Sequence, residues 1–77
     1  MISRAEGREA GTLVLVEEVL QRARRGGLTA VEIVARIRSA KERRRLDEVR
    51  AALRILECQG KAQWRSDGPK RRWEAAR

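Results

Sequence analysis

The stretch that most limits what this chain can become is "LECQGKAQWRSDGPKRRWEAA", residues 56–76. A helical apolar pattern ends at Gly60, and two short runs alternating with period two follow, separated by Ser-Asp-Gly-Pro. Asp-Gly before Pro is strong turn chemistry, so the segment predicts a β-hairpin directly after a helix. Alternation puts Ala62 and Trp64 on one face of the outgoing strand, and Arg71, Trp73 and Ala75 on one face of the returning strand.

Upstream, three helical segments are expected. Thr12 is a usable N-cap, and "TLVLVEEVLQRARRGG" places its apolar residues on one broad arc that leaves out only Val14. Arg22, Arg24 and Arg25 suit the carbonyl end of that helix, and Gly26-Gly27 stops it. Before Thr12, Gly7 and Gly11 would each cost a helix about 1 kcal/mol relative to Ala. Residues 1–11 therefore read as a flexible arm and residues 12–77 as the domain, despite a possible capping pair of Ser3 with Glu6.

Helix two is expected over about Ala30–Arg38, opened by a Thr29/Glu32 capping box, with Val31, Ile33, Val34 and Ile37 as its apolar face. Leu28, just before that cap, has room to pair with the hairpin. Helix three runs from about Arg45 to Cys58, with Leu46, Val49, Ala52, Leu53, Ile55 and Leu56 inward and Asp47, Arg50, Ala51, Arg54 and Glu57 outward. Ser39–Glu42 repeats the S-x-x-E pattern, which would start helix three early or close a one-turn helix.

This order of elements resembles the winged helix-turn-helix family of nucleic-acid-binding domains, from Thr12 to Ala75. The residues that carry the likeness are the glycines closing helix one, Leu28 before "TAVEIVARI", the helix "LDEVRAALRILECQG" and the wing "KAQWRSDGPKRRWEA". The resemblance implies an α+β fold of three helices with a C-terminal two-stranded wing. It also implies a third helix that enters the major groove, a wing that touches backbone or minor groove, and a short strand at Leu28 that completes the sheet. From Val49 to Trp73 the chain is also similar, distantly, to Z-DNA-binding winged domains. Where those carry an Asn and a Tyr on the third helix this chain has Arg50 and Arg54, and their paired wing prolines are reduced to Pro69, so Z-DNA specificity does not carry over.

Charge agrees with a polyanionic partner. The net charge is +8, and residues 40–77 hold 12 of the 19 basic side chains but 6 of the 11 acidic ones. Such a surface binds polyanions through counterion release. Arginine, 16 of those 19, forks onto phosphates and guanine edges, although a GC-rich genome would also inflate its count.

The expected DNA-binding residues are Lys41, Arg43, Arg44 and Arg45 at the entrance to helix three, Arg50 and Arg54 on its outer face, and Arg65, Lys70, Arg71 and Arg72 on the wing. Each set has a plainer alternative. Asp47 and Glu57 stand at i,i+3 spacing to Arg50 and Arg54 and could pair with them; the entrance arginines could splay into water; the wing cations could discourage edge-to-edge aggregation. Trp64 and Trp73 are in phase for a core, with Trp73 the more buried, though either could stack on an unpaired base.

Other chemistry is thinly represented. With no histidine and only Cys58, the chain offers no disulfide and no usual metal or haem ligand set, and Cys58 reads as structural. Glu17, Glu18, Asp47 and Glu48 point to different azimuths and do not converge as an acid–base couple. No cofactor and no enzyme activity are expected. The longest apolar run, Leu13–Val16, is too short for a membrane span, so a cytoplasmic or nucleoid-associated protein is expected. The expected function is duplex DNA binding in transcriptional or replication regulation, with a homodimer or a larger protein assembly as the further partner options. The alternative is a winged-helix adaptor for an acidic protein partner.

Overall fold

The computed structural model describes residues 4–23 and 26–76, with side chains from residue 7 onward. Met1–Ser3 of the expected arm, and Arg24 and Arg25 of the expected helix-one terminus, lie outside the described residues.

Three helices, α1 (Arg4–Arg22), α2 (Ala30–Ser39) and α3 (Leu46–Cys58), precede an antiparallel hairpin of β1 (Ala62–Asp67) and β2 (Lys70–Ala75). This is an α+β arrangement with the layout of a winged helix-turn-helix. Its core joins Val16 and Leu20 of α1, Ile33 and Ile37 of α2, Val49, Ala52, Leu53 and Leu56 of α3, and Ala62 and Trp73 of the hairpin.

α1 corrects the expected arm: from Arg4 onward the segment is helical. Thr12 is not a cap but a buried residue inside the helix, and its hydroxyl donates to the carbonyl of Arg8 at 2.8 Å. Arg8, one turn earlier, reaches α3 and makes a paired contact with Glu48, Nε to Oε2 at 2.6 Å and Nη2 to Oε1 at 3.0 Å. The Arg8–Glu48 pair ties this early part of α1 to α3, despite Gly7 and Gly11.

α2 opens as its sequence indicates. Thr29 Oγ1 accepts from the Glu32 amide at 3.2 Å, while Glu32 Oε1 accepts from the Thr29 amide at 2.9 Å. Val31, assigned to its apolar face, is instead 63% exposed. Two residues before Ile33, it lies about 200° around the helix from the buried stripe. Ser39 ends α2 and donates to the Ala35 carbonyl, so the S-x-x-E pattern neither starts α3 nor forms a separate turn of helix.

Both α2 and α3 close with the Schellman arrangement. After α2 the Glu42 amide donates to the Ile37 carbonyl and the Lys41 amide to that of Arg38; after α3 the Lys61 amide donates to Leu56 and the Gly60 amide to Glu57. The left-handed residue is Gly60 (φ 74°) in one case and Lys41 (φ 65°) in the other. A lysine there is held against its intrinsic preference.

Within the hairpin, Ala62 faces Ala75, Trp64 faces Trp73 and Asp67 faces Lys70. Gly68 holds φ at 63° before Pro69, the pattern of a type II′ turn. Leu28 forms the expected bridge to β2, exchanging two hydrogen bonds with Trp73 at 2.9 and 2.7 Å. Gly27 makes this approach possible: its φ is 70°, and a Cβ there would stand 2.7 Å from the Trp73 carbonyl oxygen.

Candidate nucleic-acid interface

Period 3.6 places Arg50 and Arg54 one above the other on α3, opposite the buried Val49, Leu53 and Leu56. Both are exposed, and neither is in an ion pair among the described residues. The i,i+3 pairs open to Asp47 and Glu57 are not made. Asp47 instead accepts from the Glu48 amide at 3.0 Å. Glu48, held by Arg8 and by the Arg45 amide, has its pKa drawn down to about 2. The guanidinium of Arg8 contributes most to that shift.

The entrance to α3 divides. Lys41, Arg43 and Arg45 are exposed. Arg44 turns inward: its side chain is 13% exposed, Nε donates to Thr12 Oγ1 at 2.8 Å, Nη1 donates to the Arg43 carbonyl at 2.8 Å, and Nη1 lies 3.6 Å from Glu42. It joins α1 to the α2–α3 connection and does not face outward with its neighbours.

The hairpin divides as well, because the register sends alternate residues to opposite faces. Trp64, Ser66, Arg71 and Trp73 share the face that, through Ala62 and Trp73, covers the core; Gln63, Arg65, Asp67, Lys70, Arg72 and Glu74 share the other. The four wing cations therefore do not form one surface. Arg71 lies on the helix-facing side, its guanidinium carbon 4.3 Å from the centroid of the Trp64 ring. Arg72, on the other side, donates from Nε to Asp67 at 2.6 Å, lies 3.6 Å from Glu32 and contacts the Gly27 carbonyl at 3.5 Å. The hydrogen bond from Arg72 lowers the pKa of Asp67; that of Glu32 is lowered chiefly by the Thr29 amide. Arg72 thus clasps the hairpin to the start of α2, while Arg65 and Lys70 are exposed and in no ion pair among the described residues.

Trp73 is buried and Trp64 is 36% exposed, with ring centroids 6.3 Å apart and planes tilted by 49°. The core reading holds for Trp73 and only in part for Trp64.

Sequence reasoning missed the α1–α3 seam of Arg8, Thr12, Arg44 and Glu48. Beside it runs a shallow groove of ≈ 230 Å³, with Leu13, Ala51, Ala52 and Ile55 as apolar lining and Glu9, Asp47 and Glu48 as carboxylates. Ile55, expected inward, is 39% exposed at the edge of the buried arc. This flank of α3 thus carries carboxylates, whereas Arg50 and Arg54 lie on the other flank.

Among the described residues no group of three His, Cys, Asp or Glu side chains could hold a metal ion, and no helix is long and apolar enough to cross a membrane. Cys58 is exposed. The chain has no significant match among protein-family models, curated proteins or solved structures.

Proposed function

We propose that the protein binds duplex DNA, with α3 in the major groove and the hairpin against the flanking backbone, as a winged-helix regulator of transcription or replication. One observation carries this reading: Arg50 and Arg54 stand a turn apart on the outer face of α3, in no ion pair among the described residues. A like-charge pair at i,i+4 is unfavourable by a few tenths of a kcal/mol in an isolated helix, a cost that an anion between them reverses. Either arginine can fork onto guanine N7 and O6 or clamp a phosphate.

Lys41, Arg43 and Arg45 would meet phosphates where the recognition helix begins, and Arg65, Lys70 and Arg71 would do so along the hairpin. Arg44 and Arg72 contribute by position, holding the connection and the hairpin in place. The role is binding, not catalysis, and implies a cytoplasmic or nucleoid-associated location.

Fluorescence anisotropy with a random-sequence duplex tests the reading. Neutralising about six phosphates gives a log K against log[salt] slope of about −5 and a loss on the order of 10³-fold between about 50 and 200 mM salt. Joint reversal of the two arginines, R50E with R54E, lowers affinity about 100-fold and makes the slope shallower by roughly 2, while thermal stability holds. Affinity indifferent to both salt and the reversal defeats the proposal. Reversal that spares the duplex but abolishes capture of an acidic protein assigns the face to protein recognition.

A further inference from the structure

The middle of the hairpin holds a feature that duplex binding does not use. Trp64 lies directly opposite Trp73, yet one indole is buried at 5% exposure and the other is left 36% exposed on the helix-facing side of the outer strand. The rings are tilted by 49° with centroids 6.3 Å apart, so the two indoles do not form a parallel stack. What lies over the Trp64 ring is the Arg71 guanidinium, a planar cation that is itself exposed. Arg65 and Lys70 stand on the other face of the hairpin, so Arg71 is the hairpin cation that shares the side of Trp64. A partly exposed indole beside an exposed cation is a combination with which proteins hold single-stranded nucleic acid: the ring stacks a base once the cation shifts aside, and the cation meets a phosphate.

From this juxtaposition we infer that Trp64, with Arg71, forms a stacking site for one unpaired base adjoining the duplex, so that the preferred ligand is a duplex with a single-stranded tail rather than a blunt one. This rests on the duplex-binding proposal and deepens it. In a continuous duplex the base faces are stacked on one another and offer Trp64 nothing. At a junction, the first unpaired base exposes a π face, which would meet the indole while the exposed guanidinium shifts onto the base or its phosphate.

Stacking of this kind changes affinity by about tenfold per base. The test compares three probes of the same duplex by anisotropy: blunt, with a short thymidine tail, and with an abasic tail of equal length. The abasic tail keeps the phosphates and removes the bases. The tailed duplex should bind about tenfold more tightly than the blunt one, and the abasic tail should lose most of that gain. Trp64→Leu should remove the preference, whereas Trp64→Phe keeps part of it; the probe comparison does not depend on either variant folding. Equal binding of the thymidine and abasic tails overturns the inference, because phosphates alone then explain the gain. Equal, salt-dependent binding of blunt and tailed probes overturns it and leaves the duplex proposal standing. Stacking-dependent capture of the tail without affinity for the blunt duplex has the opposite meaning.

Discussion

Arg44 and Arg50 begin as the same residue type in one short basic stretch and end in opposite situations. Arg44 is folded into the seam between α1 and the α2–α3 connection, with a hydroxyl and a carbonyl as its acceptors. Arg50 stands on α3 in no ion pair among the described residues. Arg8 and Arg72 belong with the first; Arg54 and Arg65 belong with the second. Formal charge therefore overstates the surface available to a polyanion, because some guanidinium groups are already part of the architecture.

The largest effect should come from removing a member of the first class. Arg44→Ala strips the buried Thr12 hydroxyl of its donor and should cost about 2 kcal/mol, on the order of 10 °C in the thermal midpoint. Arg50→Ala should stay within about 0.5 kcal/mol. Equal melting of the two variants would erase the distinction.

A smaller effect concerns Glu48, the acid of the seam. Its folded pKa of about 2 lies below the ordinary 4.5, so its contribution to stability is complete above about pH 4.5 and is lost as pH falls toward 2. In Glu48→Gln the decline of the thermal midpoint over that window should be shallower. A parallel decline would mean that the Arg8 contact does not act in solution.

The smallest change is a gain. Lys41 occupies a left-handed cap position that glycine fills without strain, so Lys41→Gly should raise stability by about 0.5–1 kcal/mol. It also removes one cation from the outward set, so the salt slope of duplex binding should become shallower by roughly 1 if Lys41 meets a phosphate.

Local chemistry was readable from sequence wherever it sufficed. The Thr29/Glu32 box, the Gly60 stop, the Asp-Gly-Pro turn and the room for Leu28 beside the hairpin all rest on near neighbours or on simple alternation, and all are present in the fold. What sequence left hidden depends on partners far along the chain. The early part of α1 is tied to α3 by Arg8 meeting Glu48, forty positions away. Thr12 misled because one hydroxyl serves equally as an N-cap acceptor or as a donor to the carbonyl four residues back. The end of α2 carries no glycine to mark it, since Lys41 takes that conformation. Of the candidate site, the set of cations was legible but its partition was not. Arg44 and Arg72 are distinguished from Arg43 and Arg71 only by the acceptors that the fold brings to them.

The bridge between Leu28 and Trp73 ties two otherwise separate pieces of chain, each amide gripping the other's carbonyl. A pull on the hairpin is therefore delivered to Leu28, to the glycine before it and to the first turn of α2. Whatever seizes the tip of the protein also tugs on its middle.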